Sequence, residues 1–154
     1  MITLTQILLP TDGSAGSQKA LTYAVTLAQH FGANVLALHV THGGWEQESF
    51  ETGPDVVQKV HQEQVATEQR IRQAVSDAAT QAGIPYEIQC LTGSPAEVIL
   101  RLAKEKAVDL IVMGTHGRSG LRHALLGSVA EKTVQRAPCP VLVVRQAEHE
   151  FVTE

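Results

Sequence analysis

Aromatic residues make up only 4% of this 154-residue sequence, and its two cysteines, Cys90 and Cys139, stand far apart. A core with so few rings has to be built from Val, Leu, Ile and Ala. Two separate thiols, with no Cys or His at metal-ligand spacing, fit ordinary reduced cysteines better than a zinc site or a secreted disulfide scaffold. Charged residues reach 18% against a usual share of about 25%, and hydrophobic residues reach 44%, which excludes a long disordered block. The net charge is −4, from 12 basic and 16 acidic residues, and no run of like charge occurs. No electrostatic footprint for nucleic acid or an anionic membrane is therefore present. Apolar runs such as 110–113 and Val141–Val144 are far below the ~18 residues that span a bilayer. The start, MITLTQILLP, has no basic residue before Lys19 and no apolar h-region. A soluble, cytoplasmic chain is expected, with no membrane insertion. Also missing are the P-loop lysine motif, G-x-G-x-x-G and the G-x-S-x-G elbow, which argues against P-loop enzymes, dinucleotide oxidoreductases and Ser/His/Asp hydrolases.

What is present is a regular alternation. Ile7-Leu8-Leu9 is a buried strand that stops at the turn formers Pro10-Thr11-Asp12-Gly13-Ser14. Ser14 can cap a helix whose apolar stripe runs from Ala20 to Phe31, with Gly32 in the place of a C′ glycine. Residues 34–40 form a second strand. A helical pattern over 55–82 carries Val57, Val60, Ile71, Ala74, Val75, Ala78 and Ala82 on one side, closed by Gly83 and Pro85. Residues 86–91 alternate as a third strand. Ser94-Pro95-Ala96-Glu97 reads as a capping box opening a helix with Val98, Ile99, Leu102 and Ala103 on its buried face. Residues 110–113 are a fourth strand, apolar throughout as strands covered on both faces are. Ser128-Val129-Ala130-Glu131 is a second capping box, for a helix to about Arg136, and Pro138-Cys139-Pro140 leads into a fifth strand, Val141–Val144. The order β-α-β-α-β-α-β-α-β implies one α/β domain over 1–146, a parallel sheet with helices on both faces. The stretch 42–54, which holds Trp45 and Phe50, is longer than the usual connection, and 147–154 is expected to be a frayed tail.

Glycine is the residue with a pattern. Four of the 12 glycines, Gly114, Gly117, Gly120 and Gly127, crowd into 14 residues directly after the fourth strand. In an open α/β sheet, ligands bind beyond the carboxyl ends of the strands where strand order reverses. If strands one and four are neighbours, residues 10–14 and 114–128 line one crevice. Gly127 and Ser128 fall at a helix N-terminus, whose unpaired N–H groups and dipole suit an anion such as phosphate. Gly114 and Gly117 allow main chain to approach a ligand. Arg118 and Arg122, if turned inward, add charge-assisted hydrogen bonds of about 1.5–3 kcal/mol each.

Glycine, two residues, glycine, nine residues, glycine and then Ser is a spacing in which this chain resembles the nucleotide-binding members of the universal stress protein family. The P-T-D-G-S turn, the order of elements and A-P-C-P-V-L-V-V near the end agree with that resemblance, which covers nearly the whole chain. It implies a Rossmann-like five-stranded parallel sheet of order 3-2-1-4-5. It implies ATP, or ADP or AMP, as ligand, with adenine against main chain at Pro10, Thr11 and Val40 and with Met113 beside the site. Ribose and a Mg²⁺ ion would lie near Asp12. The phosphates would lie along Gly114, Gly117, Gly127, Ser128 and Val129, with Arg118 close by. Many relatives carry a hydroxyl residue where this chain has Ala130. Dimerisation through the last strand, Val141–Val144, is also implied, as a first step to higher oligomers; such pairing covers a sticky sheet edge. In the same strand order the two cysteines lie near opposite edges, too far apart to bond.

Each of these residues also has a plainer reading. Asp12 before Gly13 is a common turn former, and Ser128 with Glu131 is explained by capping alone. Gly120, His116 and His123 read as loop residues, His39 as a hydrogen-bonded core or interface histidine, and Trp45 and Phe50 as side chains packed on the body of the domain. Three functions are open: a nucleotide-binding regulatory protein whose occupancy alters its oligomeric state or an unidentified protein partner, a slow ATPase or autophosphorylating enzyme, and a nucleotide-independent interaction module.

Overall fold

The computed structural model describes residues 1–43, 53–115 and 126–146. Along them strands and helices alternate as β1 (Gln6–Pro10), α1 (Ala15–Phe31), β2 (Asn34–Thr41), α2 (Pro54–Ala82), β3 (Tyr86–Thr92), α3 (Pro95–Glu105), β4 (Leu110–Gly114), α4 (Ser128–Arg136) and β5 (Val141–Val144). The five strands form one parallel sheet, as their alternation with helices leads one to expect, of order β3-β2-β1-β4-β5, as the resemblance implies. Trp45, Phe50 and the tail 147–154 lie outside the described residues.

The sheet is apolar on both faces because helices cover both. With side chains alternating along each strand, Ile7, Leu9, Val35, Ala37 and Val112 point to one side and pack under α1 and α2. Leu8, Leu36, Leu38, Ile111 and Met113 point to the other, under α3 and α4. The helix ends are set locally. Ser14 is extended (φ −72, ψ 166) and its Oγ accepts from the Ser17 amide at 3.3 Å, while Gly32 (φ 71) and Gly83 (φ 68) close α1 and α2 in the left-handed conformation.

Three local expectations need correction. Ser94 makes no side-chain cap: it stands at ψ 119 rather than the 166 that lets Ser14 reach its helix, and only its carbonyl joins the turn, accepting from Val98 at 3.0 Å. Ser128 is the first residue of α4 and not its cap; Gly127 (φ −67, ψ 162) takes that place, extended and with its carbonyl accepting the first bond of the helix, from Glu131 at 2.9 Å. Phe31 ends its helical stripe 38% exposed, edge-on to His30 with ring centroids 5.0 Å apart. In α2 the buried stripe is Thr67, Ile71, Val75 and Ala79, starting near the middle of the helix. The 29-residue helix is about 43 Å long, and its first turns run past the core, with Val57 and Val60 only half-buried.

Candidate functional site

Strands β1 and β4 are hydrogen-bonded neighbours, with Ile7 opposite Leu110 and Leu8 opposite Ile111. After β1 the chain turns to α1 on one face; after β4 it turns to α4 on the other. The gap this divergence leaves at the carboxyl ends is a cleft of about 550 Å³, within the usual size of small-molecule sites. Nine of the residues expected in a site line it: Pro10, Thr11, Asp12, Val40, Met113, Gly114, Gly127, Ser128 and Val129. The expected Gly117 and Arg118 lie outside the described residues, as do His116, Gly120, Arg122 and His123.

The floor is apolar and the rim polar. Leu38, Met113 and Ile99 supply the first. On the rim, Asp12 folds back so that its Oδ1 accepts from the Ser14 amide at 2.9 Å, the turn-stabilising role its sequence context suggested. Opposite lies the start of α4. The Gly127 amide donates to Thr115, so the first-turn amides without an acceptor inside α4 are those of Ser128, Val129 and Ala130. Ser128, exposed at the first helical position, makes no cap bond with its hydroxyl. Gly114 also approaches α1 closely: a Cβ there would meet the Gly16 backbone at 3.2 Å.

One wall was not foreseen. Val60, Glu63, Gln64 and Thr67 of α2 close the side of the cleft, at spacings of three and four that put them on one helix face. That face is legible in the sequence; which element it covers is not. His39 is a buried, hydrogen-bonded histidine as read, 7% exposed, but it also lines the cleft, and its Nδ1 lies 2.9 Å from the Thr11 carbonyl oxygen. The Thr11 amide in turn donates to Leu38 at 2.9 Å.

Neither cysteine lines the cleft. Burial pushes both the Cys90 and Cys139 thiols up, away from the thiolate form. Arg72 bonds Glu68 at 3.0 Å, which holds that carboxyl low, and reaches Cys90 at 3.5 Å. Among the described residues no group of three or more His, Cys, Asp or Glu could hold a metal ion. Asp12 is a single carboxylate, and Mg²⁺ is often held by one carboxylate together with substrate phosphates. Among the described residues no helix is long and apolar enough to cross a membrane.

This architecture recurs in known proteins. A universal stress protein of Methanocaldococcus jannaschii is 36% identical over 94% of this chain and 84% of its own. The solved universal stress protein UspA from Lactobacillus plantarum is 30% identical, covers 94% of this chain and 100% of its own, and superposes with a TM-score of 0.81. A universal stress protein in complex with cAMP, 24% identical over 95% of this chain and 100% of its own, shares the fold with a TM-score of 0.70. The profile of the universal stress protein family matches residues 3–145. With the reversed strand order and the match running through both loops of the cleft, the chain belongs to the universal stress protein family.

Proposed function

We propose that the protein binds an adenine nucleotide in this cleft and acts as a regulatory stress-response protein through that occupancy. The observation that carries the reading is the polarity of the cleft: the α4 amides of Ser128, Val129 and Ala130 lie at one end and Asp12 and the β2 terminus at the other, over an apolar floor. Amides at a helix start favour phosphate, an apolar floor favours a base, and a carboxylate favours ribose hydroxyls. Solved proteins of this fold hold cAMP, dAMP and AMP. In this chain the base lies against the main chain of Thr11 and Val40, the ribose at Asp12, and the phosphates at Gly114, Gly117, Arg118, Gly127, Ser128 and Val129. ATP is the proposed resident ligand, with Mg²⁺ between its phosphates and Asp12. Occupancy is read out through oligomeric state, beginning with a homodimer along Val141–Val144, or through a protein partner.

Chromatography of whatever the denatured protein releases, and thermal melts with AMP, ADP and ATP, test this. A ligand at a hundred times its Kd adds about 2.7 kcal/mol, a rise of several degrees in Tm for a chain of this size. Adenine nucleotide that neither copurifies nor raises Tm would sink the reading. Bound ATP that survives hours unhydrolysed separates a regulatory binder from an ATPase.

A further inference from the structure

We infer that His39 ends the β1/β2 ladder one rung early, and so keeps the main-chain N–H and C=O of Val40 available to whatever occupies the cleft. The ladder pairs Gln6 with Asn34 through Pro10 with Leu38, and continues as the Thr11 amide donating to the Leu38 carbonyl. In a parallel pair each residue bonds the partner strand through both its N–H and its C=O, and successive residues turn to opposite sides. Asn34, which donates to Thr5, and Leu38 turn toward β1; Val35, which donates to Pro85, and Thr41, which accepts from Gly93, turn toward β3. Val40 therefore turns toward β1, and its N–H is the natural next donor to the Thr11 carbonyl.

Among the described residues that carbonyl accepts from the His39 imidazole, and no bond from Val40 to it is made. A carbonyl oxygen only accepts, so the 2.9 Å contact puts the ring hydrogen on Nδ1. Thr11 is thus held on both sides by consecutive residues of β2, its N–H by the Leu38 main chain and its C=O by the His39 side chain. Val40 is left as a donor and an acceptor on one residue at the cleft wall. His39 is a positioning residue: it acts through Thr11 and Val40, and its place in ligand binding rests on the nucleotide reading proposed above.

Amide exchange and AMP titration of the wild type and three variants test this. Asn carries an N–H where Nδ1 stands, Gln carries it out where Nε2 stands, and Leu carries none. In nucleotide-free wild type, the Val40 amide should exchange about tenfold or more faster than that of Leu38, and AMP should slow it. In His39→Leu and His39→Gln, the Val40 amide closes on the freed Thr11 carbonyl, so its exchange slows while AMP affinity falls about tenfold. In His39→Asn, both return toward wild type. General loosening would speed exchange at Val40, so slowing there marks positioning. A nitrogen-resolved imidazole spectrum should show the hydrogen on Nδ1. Protection of Val40 in the free wild type, an Nε2-bound hydrogen, or equal behaviour of the Asn and Gln variants would overturn the inference. A wild type that binds no AMP overturns the nucleotide reading, and the exchange pattern of the variants then decides the ladder on its own.

Discussion

A Cβ added to Gly114 would lie 3.2 Å from the Gly16 carbonyl carbon and 3.3 Å from its oxygen. The end of β4 and the start of α1 thus meet backbone to backbone, and neither rigid partner gives way as a flexible side chain would. Gly114→Ala should cost about 1–3 kcal/mol, the usual penalty for overpacking. Urea denaturation checks it, as a lower midpoint with unchanged slope. An alanine variant as stable as the parent would show that the close approach is not needed.

The same pair marks how far the sequence could be read. Strands appeared in it as short apolar runs and helix ends as Ser14, Gly32 and Gly83, because those choices are made by neighbouring residues. The two loops of the cleft stood out by their turn formers and glycines. Gly114 was visible as a glycine, but its partner is 98 residues away, and no local pattern names Gly16. The α2 wall was missed for a similar reason: Val60, Gln64 and Thr67 share a face in any helix, and only packing decides that the face overhangs β2. Ser128 stands one position later than the sequence suggests because Gly127 and Ser128 both suit a cap, and it is the Gly127 carbonyl that accepts the first helical bond, from Glu131.

That one-residue shift separates two serines that look alike in sequence. Ser14 caps α1 with its side chain, so Ser14→Ala should lose about 1 kcal/mol of stability. Ser128 caps nothing with its hydroxyl, so Ser128→Ala should stay within about 0.5 kcal/mol of the parent. Its effect should fall on the ligand, weakening a nucleotide triphosphate about fivefold to tenfold through one lost hydrogen bond. Thermal melts with and without ATP measure both. Loss of stability in Ser128→Ala equal to that in Ser14→Ala would place the helix start where the sequence suggested.

At the other end of the sheet, Asp109 Oδ2 accepts from the Thr5 amide and the Thr5 hydroxyl, each at 2.8 Å, and from the Gln6 amide at 3.0 Å. The bonds tie the entry of β4 to that of β1, and those to Thr5 do most to hold the carboxyl below the ordinary aspartate range. A carboxyl lowered in the folded state stabilises above its unfolded pKa of about 3.9, and that contribution drains as pH falls through the lower folded value. Asp109→Ala should cost about 1 kcal/mol at pH 7, since the freed donors are near the surface and regain water. Asp109→Asn should flatten the loss of stability below about pH 4. Denaturation midpoints from pH 7 down to pH 2 are the measurement; an acid limb identical in parent and variant would deny the linkage.

Among the described residues β3 and β5 bound the sheet, and β5 is only four residues long, with Val141, Leu142 and Val143 half-buried. Ile111 donates to the Pro140 carbonyl, so Pro140, Leu142 and Val144 turn their polar groups toward β4, while Val141 and Val143 turn theirs outward. An edge with unpaired outward groups and apolar side chains is a template for a second copy of the chain. Val143→Pro removes one outward N–H and leaves every bond to β4 in place. If β5 pairs across the proposed homodimer, this variant should sediment as a monomer with the circular dichroism of the parent. The dimer would be restored at higher concentration, because one strand bond is lost and the apolar contacts remain. A parent that is monomeric at micromolar concentration, or a proline variant that stays fully dimeric, would place the interface elsewhere.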